Sequence, residues 1–123
     1  MSSNRILVVE DEPNIVESLR FILERVNYDV ESVSNGLTAL EQMRKQAFSA
    51  VVLDIMLPGM NGLDVLRTMR EDSRLSKLPV IVLTAKGQAQ DRKAAEETGA
   101  NAFITKPYSN AEVVKQVEKF ARR

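Results

Sequence analysis

Four short apolar runs punctuate the chain, and each ends in polar residues. Arg5-Ile6-Leu7-Val8-Val9 runs into Glu10-Asp11-Glu12, Ala50-Val51-Val52-Leu53 into Asp54, Val80-Ile81-Val82-Leu83 into Thr84, and Asn101-Ala102-Phe103-Ile104 into Thr105-Lys106-Pro107. A fifth segment, Tyr28 to Val33, alternates apolar with polar positions. Unbroken apolar runs suit strands covered on both faces, whereas alternation suits a strand with one wet face. The pattern predicts strands at about 5–9, 28–33, 50–53, 79–83 and 101–105, with the second at a sheet edge.

Helical spacing fills the intervals. Glu12-Pro13 is a start signal, because Pro is tolerated at the first helical position. Ile15, Leu19, Ile22, Leu23 and Val26 then follow on one face. Asn35-Gly36 opens a second helix with Leu40 and Met43 inward, and Gly62 a third with Leu63, Leu66 and Met69. Ser109 and Glu112 form a capping box for a last helix that buries Val113, Val117 and Phe120. The fourth helix, about 88–98, has only Ala89, Ala94 and Ala95 on its apolar face. Helices in proteins are held mostly by packing of such a face, so this one is expected to be the most mobile. Strands alternating with helices predict an α/β fold: a doubly wound five-stranded parallel sheet of order 2-1-3-4-5 with five helices.

That topology gathers the polar run ends. In such sheets a ligand sits beyond the carboxyl ends of the strands where the order reverses, here between the first and third. Glu10 and Asp11 then lie beside Asp54, with Thr84 and Lys106 on the same edge. Carboxylates that close repel: at ~4 Å and an effective dielectric near 20, each pair costs about 4 kcal/mol before screening. A proton or a cation must relieve this. Oxygen ligands favour a hard divalent ion, and a site with few protein ligands and room for water suits Mg2+ better than Ca2+. Lys106 can hold a phosphoryl oxygen, and Thr84 can donate a hydroxyl hydrogen bond to another. Phosphoryl transfer needs positioning and charge neutralisation more than a strong base, and the central Asp54 can form an acyl phosphate. Each residue alone has a plainer reading: Asp54, Thr84 and Glu10-Asp11-Glu12 as turn or cap residues, Lys106 as a solvated lysine. Their joint placement at strand ends is what singles them out.

Composition removes other chemistries. The 123 residues form one domain by the usual size prior. There is no cysteine, which excludes disulfides, thiolate zinc sites and thiol nucleophiles, and no histidine, so an imidazole must come from a partner. Lys+Arg and Asp+Glu are equal at 17 each, so the domain is not built for direct nucleic-acid binding. No apolar run approaches the ~20 residues that span a bilayer. Met1-Ser2-Ser3-Asn4 has no apolar signal core. The expectation is a soluble cytoplasmic protein without membrane contact.

The motifs Ile6-Leu7-Val8-Val9-Glu10-Asp11-Glu12, Asp54-Ile55-Met56-Leu57-Pro58-Gly59-Met60-Asn61-Gly62, Thr84-Ala85 and Lys106-Pro107 together resemble the receiver domain of two-component response regulators. The likeness runs from Arg5 to Phe120 and implies a flavodoxin-like fold and a single receiver domain over residues 1–123. It implies that Asp54 accepts a phosphoryl group from a histidine kinase or a histidine phosphotransfer protein. It also implies that Glu10, Asp11 and Asp54 hold Mg2+, Glu10 through water, with the Met56 backbone carbonyl as a further ligand. Thr84 and Lys106 would contact the phosphoryl group, and the Lys106-Pro107 bond would be cis. Thr84 and Phe103 would act as the switch pair, repacking the surface of helix 4, strand 5 and helix 5 to control an output domain or protein. Met56 and Lys86, two positions after Asp54 and Thr84, would shield the acyl phosphate from water. On this reading the chain is not an enzyme, although it assists its own phosphorylation and dephosphorylation.

Three departures narrow the resemblance. Glu10 stands where Asp is commoner, and Phe103 replaces a frequent Tyr, which removes a switch hydroxyl. Gly99-Ala100-Asn101-Ala102 lacks the paired acids of receivers joined to winged-helix DNA-binding domains, and leaves phosphorylation-dependent homodimerisation open. The alternative is a receiver module of a longer DNA-binding transcriptional regulator, since Ala121-Arg122-Arg123 resembles entry into a linker. A haloacid-dehalogenase-type phosphohydrolase would need a second Asp where Met56 stands. A flavin binder would need a Ser/Thr-rich phosphate loop after strand 1, which is missing.

Overall fold

A computed structural model describes residues 4–85 and 89–121. Strands and helices alternate: β1 (Arg5–Val9), α1 (Pro13–Glu24), β2 (Asp29–Val33), α2 (Gly36–Lys45), β3 (Ala50–Asp54), α3 (Gly62–Glu71), β4 (Val80–Ala85), α4 (Ala89–Thr98), β5 (Ala102–Lys106) and α5 (Asn110–Phe120). The strands form one sheet of order β2-β1-β3-β4-β5, with every neighbouring pair parallel. The order and all five strands agree with the sequence pattern. The continuous apolar runs of β1, β3 and β4 occupy the centre, and the alternating β2 is an edge.

Successive strand residues point to opposite faces, so each central strand feeds two cores. Leu7, Val9, Val51, Leu53, Val80 and Val82 meet Leu40, Met43, Leu66 and Met69 of α2 and α3, together with Ala95 of α4. Ile6, Val8, Val52, Ile81, Leu83 and Ile104 meet Leu19, Ile22 and Leu23 of α1 and Val113 and Val117 of α5. Burying one such side chain fully contributes about 1.5–3 kcal/mol. These paired layers make the strand ends a rigid platform.

Several local expectations shift. α1 ends at Glu24, before Val26, which packs from the following turn where Asn27 takes φ 71°. Asp54 and Thr84 lie within β3 and β4, because the ladder continues through both residues. Asn35 and Asn61 cap α2 and α3 by accepting from the N–H groups of Thr38 and Asp64. Only half of the capping box forms: Ser109 Oγ accepts from the Glu112 N–H at 3.1 Å. Of the three alanines assigned to the α4 face, only Ala95 is buried. The Lys106-Pro107 bond is cis.

Candidate functional site

The carboxyl ends of β1 and β3 bring three acids together. One carboxylate oxygen from each of Glu10, Asp11 and Asp54 lies within 4.8 Å of the others. Glu10 and Asp54 are buried, at 2% and 4% exposure, while Asp11 is exposed. The apolar ladder carries Asp54 inward: Leu53 pairs with Val82 and Asp54 with Leu83, in the interior of the sheet. The Met56 N–H donates to Asp54 Oδ1 at 2.9 Å. The Asp11 and Glu12 N–H groups both donate to Glu10 Oε1 at 3.1 Å. Backbone donors therefore orient both buried carboxylates.

Lys106 closes the cluster from the end of β5. Its Nζ donates to Asp54 Oδ2 at 3.1 Å and to Glu10 Oε2 at 3.2 Å. Burial would lower the lysine, but the hydrogen bond and charge of Asp54, with those of Glu10, outweigh it and raise its pKa above the ordinary value. Burial pushes the Glu10 carboxyl up to about 7. The Asp54 charge adds to that rise, while the Glu12 N–H and Lys106 oppose it. One ammonium shared between two buried carboxylates leaves the site short of positive charge.

Thr84 is buried at the end of β4, opposite Thr105. By strand parity Val82, Thr84 and the half-buried Phe103 share the sheet face that packs on α2, α3 and α4. Thr84 makes no side-chain hydrogen bond among the described residues. The Met56 side chain is exposed at 60%, two positions after Asp54. Lys86 lies outside the described residues. The cluster is thus Glu10, Asp11, Asp54 and Lys106, with Thr84 one position along the ladder and Phe103 behind it.

Sequence reasoning did not find the close approach of Gly62. A Cβ built there would lie 2.4 Å from the Asp54 carbonyl oxygen and 2.7 Å from Ile55 Cα. Only a glycine lets the start of α3 lean on the end of β3. Its place eight positions after Asp54 in the Pro-Gly-rich turn was the available signal.

A doubly wound parallel sheet with an acid triad and a lysine at its carboxyl edge defines a class. Residues 6–118 match the response regulator receiver domain, and the chain belongs to that family of two-component signalling domains. It is 40% identical over 121 residues to the transcriptional regulatory protein SrrA of Staphylococcus aureus, which covers 98% of this chain and 49% of SrrA. The chain therefore spans about half the length of the curated relatives it matches. The receiver domain of a signal transduction histidine kinase from Syntrophus aciditrophicus is 33% identical, with a TM-score of 0.88 over 94% of this chain and 88% of that one. The receiver domain of sensor histidine kinase PA1611 from Pseudomonas aeruginosa is 28% identical, with a TM-score of 0.88 over 97% of this chain and 98% of that one. The Pseudomonas structure has a magnesium ion coordinated in its active-site cleft.

The residues present here fit such an ion. The donors are hard carboxylate oxygens, and their convergence creates repulsion that one lysine does not balance. Among the described residues no helix is long and apolar enough to cross a membrane.

Proposed function

We propose that this domain is a phosphorylation-driven switch, with Asp54 as the phosphoacceptor. The observation that carries this reading is the buried Asp54 carboxylate, fixed by the Met56 N–H and Lys106 inside an acid triad. The carboxylate attacks phosphorus of a donor phosphohistidine; the N–P bond breaks, an O–P bond forms, and the imidazole leaves with the electron pair. With no histidine in the chain, the donor is a histidine kinase or phosphotransfer protein. Glu10, Asp11 and Asp54 would hold Mg2+, with the Met56 backbone carbonyl as a further ligand, and the ion supplies charge neutralisation at the phosphoryl oxygens.

Lys106 is then released from part of its pairing with Glu10 and Asp54 to bind a phosphoryl oxygen. The Thr84 hydroxyl, free of other partners among the described residues, donates to another. Phe103 turns into the space behind Thr84, and the surface of α4, β5 and α5 repacks to control an output partner. The domain is a signalling element that assists its own phosphorylation and hydrolysis. The relatives twice its length carry the name of transcriptional regulators, which favours an output domain that acts on transcription. An open reading frame continuing past Arg123 into a DNA-binding domain would establish that output, and a stop codon there would remove it.

Beryllofluoride binding tests the chemistry without a kinase. Fluorine NMR should show a Mg2+-dependent complex that disappears in Asp54→Asn. A complex that persists in the variant would move the acceptor to another residue.

A further inference from the structure

A cleft of about 280 Å³ opens at the amino end of the sheet, between the end of α2 and the loop from α3 to β4. The buried Met43, Phe48 and Leu75 and the half-buried Leu78 give it an apolar floor. Arg74, Lys77 and Ala47 are exposed in its lining. The volume is just below the ~300–1,000 Å³ of small-molecule sites, which suits one bulky side chain better than a cofactor.

The charge around this floor is one-sided. The lining holds two cations, Arg74 and Lys77, and no carboxylate, although the chain as a whole balances 17 basic against 17 acidic residues. Asp72 stands beside it and is shared: Arg44 Nε donates to its Oδ2 at 3.2 Å, and Arg74 Nε lies 3.6 Å from its Oδ1. Two guanidinium groups on one carboxylate leave a positive charge over, and Lys77 adds a second.

The wall is also fixed in advance. Arg70 reaches from α3 and donates through Nη1 to the carbonyls of Ser76 and Leu78 at 3.1 and 2.9 Å. The Arg74 N–H donates to Asp72 Oδ1 at 2.8 Å. These bonds hold the loop that carries Leu75, Lys77 and Leu78. A wall already ordered loses little freedom on binding, which favours affinity.

We infer that this cleft docks an acidic peptide segment of a partner protein. One bulky apolar side chain of the segment rests on Phe48 and Leu75, and its flanking carboxylates meet Arg74 and Lys77. The inference goes beyond the switch reading, because the cleft lies at the opposite edge of the sheet from the acid cluster. Phe48 stands just before β3 and Asp54 ends it, so the two sites are separated by the strand's length, about 13 Å. A partner held here leaves Asp54 open to a phosphodonor, and its docking is independent of phosphorylation.

Nitrogen–proton NMR of the whole chain, titrated with the peptide acetyl-Glu-Glu-Leu-Phe-Glu-Glu-amide, tests this. Shifts should concentrate at the amides of Ala47, Leu75 and Lys77 and spare Asp11 and Met56. Lys77→Glu and Arg74→Glu should each weaken binding about fivefold or more, because attraction at an exposed rim becomes repulsion. Ala47→Trp should abolish binding by filling the cleft without altering a charge. A peptide with lysines in place of the glutamates should not bind. Beryllofluoride with Mg2+ should leave the affinity unchanged. Absence of shifts at these amides, or full affinity in Lys77→Glu or for the lysine peptide, would overturn the acidic-segment docking. Concentration-dependent shifts at the same amides without peptide would give the cleft to a second copy of the chain instead. Affinity that collapses with beryllofluoride would make the cleft part of the switch and overturn its independence.

Discussion

Gly62→Ala should damage both the fold and the site through one contact. The added Cβ would meet the Asp54 carbonyl oxygen at 2.4 Å and the Asp54 carbonyl carbon at 3.0 Å. These are backbone atoms of a central strand, locked by pairing with β4, and they cannot rotate away. The start of α3 must withdraw instead, which strains the Gly62 N–H bond to the Ile55 carbonyl, 2.9 Å long in the native chain. Overpacking of this kind costs about 1–3 kcal/mol. Alanine's helix preference returns at most about 1 kcal/mol. A 2.4 Å backbone clash belongs at the severe end of that range, where a net loss of about 2 kcal/mol lowers Tm by roughly 6–10 °C in a domain of this size. Urea denaturation would read the stability, and the initial rate of phosphorylation by acetyl phosphate with Mg2+ would read the site. Both should fall in Gly62→Ala. Gly59→Ala is the control: no atom lies within 4 Å of its Cβ, but φ is +72°. Gly59→Ala should lose stability by backbone strain alone and keep its phosphorylation rate. If Gly62→Ala matches the native protein in both assays, the close approach does not constrain the site.

Other consequences follow from the buried charges and the exposed methionine. Without metal, Glu10 binds its proton more tightly folded than unfolded, since burial raises its pKa to about 7. Its contribution is therefore fully present below the unfolded value of 4.5 and is lost as pH rises through about 7. Urea midpoints in EDTA should fall across that window, by up to about 3 kcal/mol in free energy, and the slope should vanish in Glu10→Gln. A slope that survives in Glu10→Gln would assign the effect to another group. Lys106→Met removes the ammonium that Glu10 and Asp54 share. It should destabilise the metal-free protein and tighten Mg2+ binding severalfold by calorimetry, and unchanged affinity would show that the lysine does not compete with the ion. Met56→Ala combined with Lys86→Ala should shorten the acyl-phosphate lifetime severalfold, since Met56 is exposed two positions after Asp54 and its backbone N–H holds the Asp54 carboxylate. An unchanged dephosphorylation rate would end the shielding idea.

The strand order and the acid cluster were readable because both follow from where apolar runs stop. Asp54 shows this best: Val51, Val52 and Leu53 have to be covered on both faces, so a carboxylate that continues their ladder is carried inward with them. Glu10 and Lys106 were located on the same logic, but their bond to each other was not. It links residues 96 positions apart, and no local pattern encodes it. Gly62 looked like a helix opener, and its contact with Asp54 exists only once β3 and α3 are packed. Arg70, whose guanidinium donates to the carbonyls of Gly99, Ser76 and Leu78, was invisible for the same reason, since these acceptors come from two separate loops. Val26 misled because the helical spacing continues past Glu24, where the helix ends ahead of the turn at Asn27. The sparse apolar face of α4 was legible from Ala89, Ala94 and Ala95. The contacts that attach it among the described residues were not, because they depend on Arg70 and Phe103 from neighbouring elements.

The most direct measurement is intact mass after incubation with Mg2+ and acetyl phosphate, native protein beside Asp54→Asn. The phosphoacceptor reading predicts a gain of one phosphoryl group that Mg2+ removal and Asp54→Asn each abolish. An equal gain in Asp54→Asn, or no gain in native protein whose Mg2+ binding has been confirmed and which also fails to take up beryllofluoride, would contradict it.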